Sequence, residues 1–175
     1  MTEQSDLLEL QRQAQSGDAQ AQCRLAFLYM SGRDGAKDPF SAAALYEQAA
    51  RSGLSVAQHN LACMYLNGDG VERDRGKAVF WFEQAAAQND VDAQFNLGLI
   101  FETGNGVDVD LVQAGYWYKL AALNGSARAQ YDLASMYEHG RGFEKSMEEA
   151  CLWYEKAAAQ GIPRASKWLA EHVIS

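Results

Sequence analysis

The chain has 175 residues, of which 48% are hydrophobic and only two are proline, and its formal net charge at pH 7 is −8. An apolar fraction of this size can bury a core, so long disordered stretches are not expected. Nucleic-acid-binding proteins neutralise phosphates with clustered Lys and Arg, and the excess of acidic residues argues against that class. We therefore expect a folded chain without a nucleic-acid partner, whose negative charge serves solubility.

Targeting signals and cysteine spacing bear on location. Residues 1–6 include neither a basic segment nor an apolar one, so they do not resemble a signal peptide. No apolar run approaches the length that spans a bilayer, about 20 residues. Cys23, Cys63 and Cys151 are odd in number and do not share a repeat position, which is not the pattern of a disulfide framework. These features predict a cytoplasmic chain with no membrane partner.

The first segment, residues 2–16, differs from everything that follows it. It places Leu7, Leu8 and Leu10 among polar residues, and it lacks the aromatic and alanine pairs of the later segments. A stack of repeats needs a terminal element whose outer face meets water. We therefore predict a capping helix at 2–16.

A segment that begins at residue 18 and ends at residue 31 then recurs through the chain. Its copies occupy residues 54–67, 90–103, 126–139 and 163–175. In the third copy, positions i, i+3, i+4, i+7 and i+8 form the stripe of an amphipathic helix and hold Ala93, Asn96, Leu97, Ile100 and Phe101. The spacing predicts one helix in each copy.

A second, aromatic segment alternates with the first. Its aromatic pairs are spaced by 36 residues (117 − 81 and 153 − 117), each is followed by two alanines, and they are Trp81-Phe82, Trp117-Tyr118 and Trp153-Tyr154, with a weaker copy at Leu45-Tyr46. Self-similarity at a fixed period of tens of residues is typical of a solenoid. The alanines let neighbouring helices approach closely, and we predict that the tryptophans fill the core beside them rather than forming a ligand cage.

Residues that start and stop helices recur at equivalent positions of successive repeats, and we call each such set of equivalent positions a column. The column before each aromatic helix holds the N-cap residues Asp38, Asp74, Asp110 and Ser146, and the column after it holds Gly17, Gly53, Asn89, Gly125 and Gly161. A third column, at Gly32, Gly68, Gly104 and Gly140, ends the other helix. We predict an all-α chain of about ten helices in antiparallel pairs, forming one domain, 1–175. Its repeat units are 19–54, 55–90, 91–126 and 127–162, with a half-unit at 163–175.

These motifs resemble the Sel-one-like repeat, a relative of the tetratricopeptide repeat. The resemblance covers nearly the whole chain, and its clearest copy reads Ala57-x3-Leu61-Ala62-x2-Tyr65-x2-Gly68-x-Gly70-Val71-x2-Asp74-x3-Ala78-x2-Trp81-x3-Ala85-Ala86. Two local departures are Asp34 in place of the second loop glycine and Phe143 in place of the loop valine. The resemblance implies a right-handed α-α superhelix whose concave groove binds proteins or peptides.

Carried over by column, the resemblance also implies which residues face that groove. They are Cys23, Phe27, Met30, His59, Cys63, Leu66, Phe95, Leu99, Glu102, Arg128, Tyr131, Ser135, Glu138, Arg164 and Lys167. The N-terminal half of this set is mainly apolar and the C-terminal part is charged. Phe27, Phe95, Leu99 and Tyr131 are the expected apolar anchors for a protein or peptide partner. The basic residues are expected to pair with its acidic groups or its terminal carboxylate.

Motifs for catalysis and cofactor binding are weak. The Gly-x-Gly loops lack the preceding strand and the third glycine of a dinucleotide site, and helix termination explains them. Neither Ser-x-x-Lys, His-Glu-x-x-His nor a nucleophile elbow occurs in the sequence. We therefore expect a protein that is not an enzyme and needs no cofactor.

Two alternatives remain open. His59 and Cys63 are four residues apart on one helix, and Cys23 occupies the column of His59 one repeat earlier. This cluster is compatible with a soft metal ion or with a Cys–His nucleophile. Trp168 and Leu169 have no following helix to cover them, which would favour self-association. The expected state is accordingly a monomer or a weak dimer.

Overall fold

A computed structural model describes residues 3–33, 35 and 37–172 of the chain. Across these ranges the structure contains ten α-helices and no strand, which confirms the all-α class. The helices are α1 Glu3–Gln15, α2 Ala19–Ser31, α3 Pro39–Arg51, α4 Ser55–Asn67, α5 Arg75–Ala86, α6 Val91–Thr103, α7 Leu111–Leu123, α8 Ala127–His139, α9 Met147–Ala159 and α10 Pro163–His172. Three features expected from the sequence lie outside the described residues: the substitution at Asp34, the first residue of the capping segment and the last three residues of the final one.

Each repeat pairs two helices. We call α2, α4, α6, α8 and α10 the A helices, and α3, α5, α7 and α9, which carry the aromatic pairs, the B helices. The loop between an A helix and the next B helix is closed by a backbone hydrogen bond that spans nine residues. Asp38 N–H donates to the Tyr29 carbonyl at 2.9 Å, and Ser146 N–H donates to the Tyr137 carbonyl at 3.0 Å. These bonds fold each pair back on itself as a helical hairpin.

The predicted N-caps of the B helices are confirmed. The Asp38 carboxylate accepts from the backbone N–H of Ser41 at 3.1 Å, and Asp74 accepts from Lys77 N–H at 3.0 Å. Asp110 caps α7 and Ser146 caps α9 in the same way. Each cap satisfies a donor that the first turn of a helix leaves without a partner. Pro39 occupies the first position of α3, where a missing N–H costs nothing.

The residues predicted to end the helices take left-handed backbone conformations. Asn89 has a φ of 63° and stands in a column otherwise filled by glycine. Asparagine is one of the few other residues that accept this conformation readily. In the same column of the preceding repeat, Gly53 brings the Leu54 N–H within 3.2 Å of the Ala49 carbonyl, which terminates α3.

The chain divides into two compact units, Met1–Asp90 and Val91–Ser175. In the first unit, Leu7 and Leu10 of α1 pack against a small buried cluster that includes Ala14 and Leu25. Leu8 lies on the outer side of the same helix and is exposed. Farther along this unit the enclosed side chains include Tyr46, Leu61 and Phe82, together with the alanines of the B helices.

The second unit contains a large core cluster formed by α7 to α10. Its largest enclosed side chains are Tyr118, Leu133, Met136, Trp153 and Tyr154. Half-buried side chains such as Phe95, Tyr131 and Trp168 pack around this core. Alanines at the contact positions of each helix let the backbones approach closely enough for the aromatic rings to fill the remaining space.

The tryptophans are less central than the sequence suggested. Trp153 is buried, but Trp81 and Trp117 are only half-buried. The fully enclosed rings are those one position later, Phe82 and Tyr118. Neighbouring residues on a helix point about 100° apart, since one turn takes 3.6 residues. In the two pairs Trp81-Phe82 and Trp117-Tyr118 it is therefore the second ring that faces the core, whereas both rings of Trp153-Tyr154 are buried.

A column of buried glutamines escaped the sequence analysis. Gln22, Gln58, Gln94 and Gln130 are all buried in the A helices. The Nε2 of Gln58 donates to the Ala50 carbonyl at 3.2 Å, and Gln22 and Gln130 make the same bond to carbonyls eight residues back. These carbonyls belong to the last turn of the preceding helix, where no partner exists within that helix. The glutamine side chain is buried because its amide donates a hydrogen bond to a carbonyl at the end of the preceding helix.

Phe143 replaces the loop valine for a reason visible in its neighbours. Its ring stacks on Tyr137 with centroids 4.5 Å apart and lies directly over Gly115. A Cβ atom at Gly115 would come within 2.6 Å of a Phe143 ring carbon. The large loop residue and the glycine in the middle of α7 are therefore complementary in size.

Candidate functional site

The residues expected to line a groove all lie on the A helices, and none of them is buried. We refer to this set of fifteen residues, from Cys23 to Lys167, as the A-helix face. Phe27 is 57% exposed and Leu99 is 44% exposed, although both are large and apolar. Arg128, Arg164 and Lys167 are exposed as well. Taken unit by unit, the set offers the apolar Phe27 to solvent in the first unit, and Leu99 with the three cationic side chains in the second.

Two aromatic members of the face also serve the core of the second unit. The ring centroid of Phe95 lies 5.7 Å from that of Tyr118, and the ring of Tyr131 lies 5.4 Å from that of Tyr154. Both side chains are half-buried in these contacts. Packing fixes their rotamers, which makes them rigid parts of the surface.

Two glutamates of the face are tied to the core in the same way. Tyr118 Oη donates to Glu102 Oε2 at 2.7 Å, and Arg141 Nη1 lies 2.8 Å from Glu102 Oε1. One repeat later, Tyr154 Oη donates to Glu138 Oε2, again at 2.7 Å. Burial and the hydrogen bond to Glu102 raise the pKa of Tyr118, so the phenol remains a donor. We call this arrangement the tyrosine–glutamate tie.

The second tie also covers the last tryptophan. Trp168 Nε1 donates to Glu138 Oε1 at 3.0 Å, and its ring packs on Tyr154 at 4.3 Å and on His172 at 4.4 Å. Burial alone would raise the pKa of Glu138, but the hydrogen bonds from Trp168 and Tyr154 outweigh it and keep the pKa low. Trp168 is therefore covered in part by its own chain, although no helix follows it within the described residues, and self-association stays a prediction.

A cavity of about 200 Å³ opens on the face of the second unit. It brings together four of the expected site residues and two others, and its lining consists of Phe95, Arg128, Tyr131, Asp132, Ile162 and Arg164. Two aromatic walls and two guanidinium groups thus meet at one place. Such a site suits a ligand with an apolar part and an acidic part.

Asp132 in this cavity was not anticipated. Burial raises its pKa to about 6, the nearby Glu102 carboxylate adds to the shift, and Arg141 and Arg164 oppose it. A carboxylate with this pKa changes its charge in mildly acidic solution, and so alters the balance against the two arginines. In the sequence, Asp132 looked like an ordinary polar residue of an A helix.

In the first unit, His59 has a carboxylate partner. Its Nδ1 lies 3.2 Å from Asp90 Oδ1, and its ring meets Phe82 edge-on with centroids 5.5 Å apart. The hydrogen bond to Asp90, followed by that to Cys63, raises the pKa of His59 to about 10. Nowhere in the described ranges do three His, Cys, Asp or Glu side chains group so as to hold a metal ion. The structure thus places Cys23, His59 and Cys63 without assembling them into a ligand set.

A larger cavity, of about 510 Å³, lies in the first unit. It contains two of the expected residues, Cys23 and Phe27. Sequence reasoning missed three of its polar members, Arg24, Arg33 and Tyr46. Burial raises the pKa of the Cys23 thiol, and burial with the nearby Cys23 raises the pKa of Tyr46 to about 12. Both groups therefore stay protonated at neutral pH.

No helix of the described ranges combines the length and the apolar character needed to cross a bilayer. The architecture defines the class of the protein: an all-α helical-repeat protein built from paired A and B helices.

The family follows from comparison with known sequences. The model of the Sel1 repeat matches four consecutive segments of the chain, residues 19–54, 55–90, 91–126 and 127–162. The chain belongs to the Sel1 repeat family, which confirms the resemblance seen in its motifs. Proteins of this family generally mediate protein–protein interactions and generally are not enzymes. No curated protein matches the sequence.

Solved structures agree with this assignment. A protective antigen of uropathogenic Escherichia coli strains, which displays an SLR fold, superposes with a TM-score of 0.89 at 36% identity, covering 93% of this chain and 35% of its own. A Sel1 repeat protein from Oxalobacter formigenes gives a TM-score of 0.81 at 35% identity, covering 89% of this chain and 64% of its own. This chain therefore spans less than two thirds of the length of either protein. Cysteine-rich protein B of Helicobacter pylori shares the fold at 22% identity, with a TM-score of 0.57, covering 71% of this chain and 94% of its own.

Proposed function

We propose that the chain is a non-catalytic scaffold that binds a segment of another protein on the A-helix face. The observation that carries this proposal is the exposure of Phe27 and Leu99, two large apolar side chains on the face. Exposed apolar groups next to polar ones are typical of sites where a partner docks. The cavity that joins Phe95 and Tyr131 to two arginines adds a place for an anchored side chain.

On this face, rigid apolar side chains would provide the binding affinity, and arginines would set the orientation of the bound segment. The helices that carry it are held by caps and by the core, so binding need not order them, and the entropic cost falls mainly on the partner. Phe95 and Tyr131 are already fixed against core rings. Arg128 and Arg164 would attract acidic groups and orient the bound segment. Lys167 lies 3.8 Å from Glu171, so its charge is partly compensated.

The test compares two double variants in affinity capture from the source organism. Phe27→Ser with Leu99→Ser removes the exposed apolar groups of the A-helix face. The matched control, Phe80→Ser with Tyr116→Ser, removes side chains that are 50% and 57% exposed on B helices. Truncating an anchor residue costs about 2 kcal/mol or more at an interface. We therefore expect the first variant to lose its partner and the control to retain it, with both melting as the wild type does.

The opposite pattern would contradict the proposal. If the A-face variant captures its partner as well as the wild type does, the A-helix face is not the binding surface. If only the B-helix variant loses the partner, the binding surface belongs to the B helices instead.

A further inference from the structure

The tyrosine–glutamate tie is present twice in the second unit and is broken in the first repeat. Tyr46 occupies the column of Tyr118 (118 − 72), and Met30 occupies the column of Glu102 (102 − 72), where 72 residues are two periods. The first repeat therefore keeps the phenol and lacks the carboxylate. In the second repeat both members change together, because Phe82 stands in the tyrosine column and Leu66 in the glutamate column. Only the first repeat retains the donor without its acceptor.

The phenol of the first repeat lines a cavity. Tyr46 is only 3% exposed, and its side chain forms part of the wall of the 510 Å³ cavity in the first unit. Tyr118 and Tyr154 each donate to a glutamate at 2.7 Å, whereas the column of that glutamate holds Met30 in the first repeat. A ligand carboxylate in the cavity would supply the acceptor that the glutamates supply in the second unit.

The cavity is cationic and apolar. Among the described residues, Arg24 and Arg33 line it without any Asp or Glu, and neither arginine forms an ion pair. Phe27, Leu54 and Val56 form apolar parts of the wall. In a chain of net charge −8, two guanidinium groups that line one cavity favour the binding of an anion there. Its volume lies in the range of cavities that hold small ligands or anchored side chains, about 300–1,000 Å³.

We propose that this cavity binds a side-chain carboxylate of a partner protein, a Glu or Asp flanked by a bulky apolar residue. The carboxylate takes the role that Glu102 plays in the second unit, accepting a hydrogen bond from Tyr46 and attracted by Arg24 and Arg33. The apolar neighbour packs against Phe27 and Val56. This inference rests on the proposed function, because it names the chemistry of the segment that the scaffold binds.

The direct probe is a pair of short peptides with both ends capped. One is acetyl-Ser-Gly-Phe-Glu-Phe-Gly-Ser-amide, and the other carries Gln in place of Glu. Each is titrated into the full chain labelled with ¹⁵N, and binding is followed by chemical-shift changes of backbone amides. We expect the Glu peptide to perturb amides around Cys23, Tyr46 and Asn60, and the Gln peptide to bind at least tenfold more weakly.

Two variants separate the proposed contact from general surface attraction. Tyr46→Phe removes only the hydroxyl and should weaken binding of the Glu peptide several-fold. Met30→Glu restores the tie inside the chain, so its own carboxylate should occupy Tyr46 and reduce binding at least tenfold. This second variant reproduces a pair that the fold already contains twice, so it tests the proposal even if Tyr46→Phe fails to fold. Arg75→Gln, which changes an exposed arginine outside the cavity and outside the A-helix face, should leave binding unchanged.

Several results would overturn the inference. Equal binding of the Glu and Gln peptides would show that the carboxylate is not recognised. Unchanged binding by Met30→Glu would show that Tyr46 is not the contact. Shifts centred on Arg128 and Arg164 would move the site to the second unit. A Gln peptide with a free C-terminal carboxylate that binds better than the capped Glu peptide would replace the proposed side chain by a chain end.

The inference and the proposed function fail separately. If the peptides ignore the cavity but Phe27→Ser with Leu99→Ser still abolishes partner capture, the scaffold function stands and the carboxylate site falls. If that double variant captures normally and the Glu peptide is ignored, both fall.

Discussion

At the scale of single residues, His59 shows how one ion pair stabilises the first unit. It projects from α4 and its Nδ1 lies 3.2 Å from Asp90 Oδ1, beyond the end of α5. Both side chains are largely shielded from solvent, at 20% and 17% exposure. A charge-assisted hydrogen bond in such a place is stronger than one on the open surface.

The raised pKa of His59 gives this pair a defined pH dependence. Its folded pKa is about 10 and its ordinary value is 6.5, so the stabilisation is complete below pH 6.5 and is lost as the pH rises through 10. We expect His59→Gln to lower the free energy of unfolding by about 1.5–3 kcal/mol at pH 6 and by much less at pH 10. Urea unfolding at the two pH values measures this. His139→Gln, at an exposed position, is the control, and an equal loss at both pH values would contradict the assignment.

Gly115 and Phe143 provide a second test at this scale, because the Phe143 ring occupies the space that a side chain at position 115 would need. We expect Gly115→Ala to destabilise the chain by about 1–3 kcal/mol, since its Cβ would meet the Phe143 ring at 2.6 Å. Two periods earlier the same two columns hold Ala43, in the first repeat, and Val71, in the second. Combining Gly115→Ala with Phe143→Val should therefore cost less than the sum of the single changes. Thermal melting of the four proteins of this cycle gives the coupling, and additive losses would mean that the two sites are independent.

At the scale of helices, the buried glutamines of α4 and α8 also accept hydrogen bonds from a second set of side-chain amides. Gln88 Nε2 donates to Gln58 Oε1 at 2.8 Å, and Gln160 Nε2 donates to Gln130 Oε1 at 2.8 Å. The first repeat has Ser52 in this donor column, and its shorter side chain bonds locally to the Gln48 carbonyl instead.

The consequence is an unmet acceptor in the first repeat. Gln22 Oε1 is buried, and within the described residues it has no hydrogen-bond partner. We expect Ser52→Gln to supply the missing donor and to raise the free energy of unfolding by about 1 kcal/mol. For a chain of this size that corresponds to a rise of about 2–4 °C in Tm. The reverse change, Gln88→Ser, should lower Tm. If Ser52→Gln leaves Tm unchanged or lowers it, the acceptor is already satisfied by other means.

At the scale of the whole molecule, the repeat and its caps could be predicted from the sequence, because both depend on local rules. Asp38 and Ser146 cap a helix whatever lies beside it, and Asn89 accepts a left-handed conformation for reasons within its own backbone. The period of 36 residues fixes where the pattern recurs. The helix bounds therefore agree with the sequence to within a residue or two.

What could not be predicted depends on contacts between helices. Periodicity places Trp117 and Tyr118 on the same broad face, but only the packed structure decides which ring is enclosed. The burial of Gln58 follows from a carbonyl at the end of another helix, which a hydrophobicity pattern does not register. The cavity at Tyr46 did leave a signal in the sequence. Comparing columns shows Met30 where later repeats hold glutamate, and that comparison requires knowing first that the two columns touch.

The bonds from Gln58 and Gln130 reach only eight residues back along the chain, so each of these two repeats supplies the hydrogen bond that joins it to the helix before it. A tandem duplication of residues 127–162 would therefore bring its own amide, its own helix end and its own loop-closing bond. The number of repeats can therefore increase without any substitution in the residues on either side of the insertion.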